Sequence, residues 1–179
     1  MIEIFAEDNY TAIKPLDERS LGDAARIYNS GSGTRYATGL EGNLSIWEMS
    51  SLLERIKACD NEFIAAVFAK VPDMGAETAL QFAGLCSGLV NTSTLWIKQL
   101  SILPEYRRMG IGTRTAELLL EYAVRSHNVQ AVYLSVAEKN TTGLCFWSKL
   151  GFYEAHRIEK ELFDEKVPVD VIIMQKNLP

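Results

Sequence analysis

The sequence predicts an α+β fold, and three observations predict it. Apolar residues recur at helical spacing in the first third of the chain. From residue 62 the pattern changes to apolar runs bounded by turn residues, three in succession. Beyond residue 103, helical and strand patterns alternate to the end. The 179 residues, 47% of them apolar and 23% charged, suit one domain, 1–179, and exclude disorder and collagen-like order. A chain of this length buries roughly 70% of its unfolded surface, so its core needs neither metal nor disulfide.

Taken in order, residues 10–16 form a first strand, stopped at Pro15. Ser20 and Asp23 resemble a helix N-terminal box, with Leu21, Ala24, Ala25 and Tyr28 as the apolar stripe. Gly31, Ser32, Gly33 and Thr34 break that helix. Ser45 and Glu48 form a second box, opening a helix with Ile46, Met49, Leu52, Leu53 and Ile56 on one face. Residues 62–70, 80–90 and 94–102 are strands, separated by turns at 72–75 and 91–93. The third carries a defect. Leu95 and Ile97 lie on odd positions, Leu100 and Ile102 on even ones, so the apolar face slips by one residue around Lys98 and Gln99. A β-bulge produces such a slip, and a strand buried on both faces looks the same. A long helix follows to about residue 126, with Ile111, Leu118, Leu119 and Tyr122 on its stripe. Residues 131–137 alternate as a strand. A helix from Asn140 or Thr141 ends at a left-handed Gly151, and strands near 152–158 and 167–174 finish the chain.

Composition excludes several functions. The net charge of −5 opposes non-specific nucleic-acid binding, which depends on neutralising phosphates. Cys59, Cys86 and Cys145 form no C-x-x-C pair, and only His127 and His156 add imidazole, so no structural metal is expected. The most apolar run, 63–69, stops at Lys70, short of the ~20 residues of a membrane helix. The first ten residues are acidic, unlike a signal peptide. A soluble, cytoplasmic protein is the expectation.

The sharpest chemical signal lies at 107–113. A strand ends at Ile102, a turn follows, and Gly110 and Gly112 open a helix. Glycines there let a ligand approach the backbone, and the first-turn N–H groups point outward. The helix dipole adds roughly half a positive charge, and Arg107 and Arg108 add two whole ones. Such a site suits an anion, a diphosphate especially. It is no Walker loop, because the chain has no Gly-Lys pair, and no dinucleotide fingerprint, because the third glycine is missing.

The run from Leu100 through Pro104, Glu105, Tyr106, Arg107, Gly110 and Gly112 to Thr113 closely resembles the acyl-CoA-binding signature of the GNAT family of N-acetyltransferases. A second motif follows in order. Leu134 and Val136 end a strand, Asn140 follows, and Phe146, Trp147, Gly151 and Phe152 resemble the family's aromatic ending. The resemblance implies a GNAT-like mixed, mostly antiparallel central sheet flanked by helices and splayed between the fourth and fifth strands, with acetyl-CoA in the splay and no metal. It implies that the backbones of Leu100, Ser101 and Ile102 pair with the pantetheine arm. The diphosphate would lie on Arg108, Met109, Gly110, Ile111, Gly112 and Thr113, with Arg107 at the first position of the signature. Asn140 would approach the pantetheine or the acetyl group.

The implied reaction is acetyl transfer to a primary amine of a small molecule or a protein, by direct attack in a ternary complex. Two other readings stay open: a non-catalytic acyl-CoA sensor, and a nucleotide-binding module using the same glycines. No catalytic residue is assigned. Where many members carry a tyrosine, this chain has Trp147, whose indole is a donor but no usable acid. Tyr133 and Tyr153 are substitutes, and the alternative for Trp147 is core packing. Candidate bases are Glu41, Glu138 and His156, each with a plain surface reading beside it. Cys145 reads as a buried small apolar residue. The 31–36 loop, with Arg35, is either an acceptor-pocket wall or a plain connection. The exposed final strands leave room for a homodimer, by the same resemblance.

Overall fold

The computed structural model describes residues 1–29, 43–72, 78–164 and 167–179. Its strands are β1 (Ala6–Glu7), β2 (Thr11–Pro15), β3 (Glu62–Pro72), β4 (Thr78–Asn91), β5 (Thr94–Ile102), β6 (Ala131–Ala137), β7 (Tyr153–Asp164) and β8 (Val167–Asn177). They form one sheet in the order β1-β2-β3-β4-β5-β6-β8-β7. Neighbours are antiparallel except β5 and β6, which are parallel. The helices are α1 (Leu21–Asn29), α2 (Ile46–Lys57), α3 (Ile111–His127) and α4 (Thr141–Lys149).

The alternation of β3 explains the two-layer packing. Phe63, Ala65, Val67 and Ala69 enter a core with α3 and Trp147, while Ile64 and Ala66 enter a second core with α1 and α2. A strand feeding two cores must be apolar on both faces, hence the uninterrupted run in the sequence. The capping box at α2 forms: Ser45 Oγ accepts from the Glu48 amide, and the Glu48 carboxylate accepts from the Ser45 amide. Gly151 is left-handed at φ +85°. The strand splay expected between the fourth and fifth strands falls between β5 and β6, shifted one number by β1.

Three local expectations are corrected. The start of α1 is not capped by Ser20. A 3-10 turn at Glu18–Ser20 precedes it, because the Asp17 carboxylate accepts from the Ser20 amide and starts the turning upstream. The polar lead contains β1, turned onto β2 by Asp8, whose Oδ1 accepts from the amides of Tyr10 and Thr11, both at 2.7 Å. Cys145 is exposed and not buried, because Trp147 holds the core-facing side of this short helix.

Candidate functional site

β5 divides at its middle. It pairs with β4 along its whole length but with β6 only from Thr94 to Ile97. Residues 135–137 of β6 pair with β8 alone on their other edge. The division coincides with a bulge. Ile97 stands opposite Gly88 and Gln99 opposite Ser87, which leaves Lys98 unopposed. The phase slip visible in the sequence is therefore this bulge, and the strand bends there away from β6. Past it β5 and β6 no longer pair, which leaves a gap between them.

Hydrogen-bond parity tells which groups face the gap. The Leu103 amide donates to the Ala83 carbonyl at 2.8 Å. By antiparallel alternation, Ser101 also bonds toward β4, whereas Leu100 and Ile102 point their backbone groups into the gap. The Ile102 carbonyl is already taken, since Arg107 Nε donates to it at 2.9 Å. What remains is the Leu100 amide and carbonyl and the Ile102 amide.

At the end of the gap stands the α3 N-terminus. Gly110 is its N-cap at φ +82°, a left-handed conformation suited to glycine, with no side chain to satisfy the first-turn amides. Ile111, Gly112 and Thr113 consequently offer free N–H groups, and the ladder begins with the Arg114 amide on the Gly110 carbonyl. No acidic residue occupies that first turn. Arg108 is also left-handed at φ +62°, a strain of about 1–2 kcal/mol for a side-chain-bearing residue. A Cβ on Gly112 would sit 3.5 Å from Ile102 and 3.6 Å from Phe146, so its absence leaves room beside the gap.

The arginines have separate duties. Arg107 clamps the turn to β5. Arg108 is exposed and makes no ion pair or hydrogen bond among the described residues. Arg114 is turned away, its Nη1 2.9 Å from Asp8 and its guanidinium 4.3 Å over the Tyr10 ring. Burial raises the Asp8 carboxyl pKa, but the amides of Tyr10 and Thr11 and the Arg114 cation outweigh it and leave it lowered. Met109 is exposed beside them.

Asn140 is the N-cap of α4, accepting from the Gly143 amide at 2.9 Å. Trp147 is 8% exposed and packs edge-on against Phe146 and Phe152 at 4.9 and 5.1 Å; it is a packing residue. Glu138 is held by Arg157, which also binds Glu154 and Asp170. His156 lies exposed on the outermost strand. Tyr133 stacks on Trp96, and the Tyr153 hydroxyl accepts from Asn177. Glu41 and the 31–36 loop with Arg35 lie outside the described residues. The structure thus brings 100–113 together along one edge of the gap, ties Glu138 to Arg157 and leaves His156 exposed on β7.

On the opposite face of the sheet, under α1 and α2, lies a cavity of about 480 Å³ that local patterns did not reveal. Tyr28, Glu48, Arg55, Glu62, Ser87, Lys98 and Gln99 line it. Lys98 Nζ is 2.9 Å from Glu62. Burial pushes the Tyr28 hydroxyl pKa up to about 12, so it stays protonated. The polar pair Lys98-Gln99 inside an apolar strand was the available signal. Among the described residues no three of His, Cys, Asp or Glu gather as a metal site, and no helix is long and apolar enough to cross a membrane.

Comparisons with known proteins agree with this architecture. The model of the acetyltransferase (GNAT) family matches residues 44–152. N-alpha-acetyltransferase 50 of Danio rerio is 32% identical over 88 residues, 49% of this chain and 52% of that protein. Spermidine N(1)-acetyltransferase of Escherichia coli K12 is 36% identical over 67 residues, 37% of this chain and 34% of that protein. The chain thus spans about half or less of the length of these relatives. The crystal structure of Vibrio cholerae spermidine N-acetyltransferase, in complex with CoA and spermine, superposes with a TM-score of 0.77 at 20% identity. That match covers 95% of this chain and 96% of that one, and it is a likeness of fold.

Proposed function

The chain belongs to the GNAT acetyltransferase family, and from that premise we propose that it moves an acetyl group from acetyl-CoA to a primary amine by direct attack in a ternary complex. The N–C bond forms, the C–S bond breaks, the nitrogen loses a proton and the thiolate leaves. One observation carries the reading: a backbone-lined gap between β5 and β6 runs into the free amides of a Gly110-opened helix. Leu100 and Ile102 would hold the amide-bearing arm as a short added strand, and the amides of 111–113 with Arg108 would hold the diphosphate. The continuous sheet from β1 to β8 supports taking 1–179 as one such domain.

Catalysis then comes mainly from placement, because fixing amine and thioester together removes an entropic barrier. An ordinary alkyl amine near pKa ~10 is uncharged in about one molecule per thousand at pH 7, so the acceptor must lose its proton on binding. Trp147 is buried and returns no proton to the leaving group. A thiol of pKa ~8.5 leaves well without one. The named relatives supply candidate acceptors, an α-amine and spermidine.

Thermal shift tests the cosubstrate. Acetyl-CoA at a hundred times its Kd should add about 2.7 kcal/mol of stability, whereas ATP and NAD should not; stabilisation by ATP alone would overturn the assignment. Arg108→Glu should weaken acetyl-CoA about tenfold or more, and unchanged affinity would put the diphosphate elsewhere. Free-thiol release that depends on an added amine separates the enzyme from a sensor.

A further inference from the structure

We propose that Gln99 receives the acceptor amine, and that this amine carries a single positive charge on an apolar body. The inference rests on the acyl-transfer reading above and specifies its second substrate. Leu95 and Ile97 belong to the α3-side core, and uninterrupted alternation would send Gln99 the same way. The unopposed Lys98 resets the alternation. Gln99 then stands opposite Ser87, and both line the cavity under α1 and α2.

Gln99 is only 4% exposed, and its Nε2 donates to Ser101 Oγ at 3.2 Å. Its Oε1 has no partner. A buried amide oxygen left unpaired is costly and calls for an explanation. This one accepts and cannot donate, so its complement is a donor, N–H or O–H, and in an acyl-transfer site the acceptor amine supplies one. Pairing of β5 with β6 ends at Ile97, which sets Gln99 at the apex of the gap. A thioester beside Leu100 would meet the cavity there.

The charge of the lining selects among amines. Its described charged residues are Glu48, Glu62, Arg55 and Lys98, two of each sign. Glu62 is paired with Lys98, and the Glu48 carboxylate accepts from the Ser45 amide and hydroxyl. With two charges of each sign, the described lining carries no excess of negative charge for the further ammonium groups of a polyamine. Leu44, Leu52 and Ile56 supply the apolar wall, and the volume suits a small ligand.

The test uses the full chain with acetyl-CoA and three probes: phenethylamine, hexylamine and spermidine. Gln99→Leu should lower kcat/KM for phenethylamine about ten- to a hundredfold, with acetyl-CoA affinity kept within about twofold. Its Tm should hold or rise, because the orphaned oxygen is gone. Gln99→Glu keeps an acceptor but stabilises the ammonium form, so turnover should return with a pH profile moved upward. Full activity in Gln99→Leu, or loss of its fold and acetyl-CoA binding together, would overturn the proposal. So would spermidine outperforming phenethylamine about tenfold, or acetyl-CoA binding with turnover of no probe. Failure of the wild type to bind acetyl-CoA would overturn the acyl-transfer reading as well.

Discussion

The two halves of β5 have the same neighbour on one side and opposite fates on the other. Residues 94–97 lie between β4 and β6, with Leu95 fully buried and Trp96 stacked on Tyr133. Residues 99–102 keep β4 and lose β6, so their outer backbone groups face a gap. The first half is a structural joint and the second an edge with unpaired main-chain groups, the one proposed above to bind acetyl-CoA. One inserted residue, Lys98, separates them. A sheet cannot offer main-chain groups to a ligand while its own strands satisfy them, so binding begins where pairing stops.

The largest expected effect tests the joint. Leu95→Ala should cost about 2–5 kcal/mol by urea unfolding, as a cavity in a fully buried site. Leu100→Ala, on a half-buried residue, should cost about 1–2 kcal/mol and leave acetyl-CoA affinity nearly intact, because its amide and carbonyl remain. Equal losses of stability would erase the distinction between the halves. Gly110→Ala sharpens it, because the left-handed backbone there should cost about 1–2 kcal/mol and reduce acetyl-CoA affinity in the same variant. A change in stability with affinity intact would detach the helix terminus from the gap.

The smallest effect concerns what holds α3 beside the open half. Asp8→Asn removes the ion pair to Arg114 and should cost about 0.2–1 kcal/mol at neutral pH, for a partly exposed pair. The Asp8 pKa is lowered in the folded state. Its contribution is therefore present above the ordinary aspartate value near 3.8 and is lost as pH falls through the lower folded value. Tm measured from pH 7 down to pH 2 should show the wild type and the variant converging in acid. A gap that persists to pH 2 would assign the effect to the Asp8 turn and not to its charge.

Much of this was legible before any coordinates. The two capping-box residues of α2, the glycine-opened turn at 107–113 and the phase slip at Lys98 each express a local rule of period or backbone conformation. The site edge 100–113 is a contiguous stretch, so its parts could be read together. The short strand β1 escaped notice because two residues show no alternation. Cys145 was misplaced because its apolar neighbours on a one-sided helix suggested burial.

The sequence by itself determined the kinds of element, their order and the glycine-opened turn before α3, because those follow from interactions within a few residues. Only the tertiary structure decided which arginine is free, since Arg107 is bound to Ile102 and Arg114 to Asp8, 106 residues away. It also decided that Gln99 turns into a cavity walled by α1, α2 and β3. Packing partners from distant segments set burial, charge compensation and the unpaired state of an atom, and no local pattern records which segments will meet.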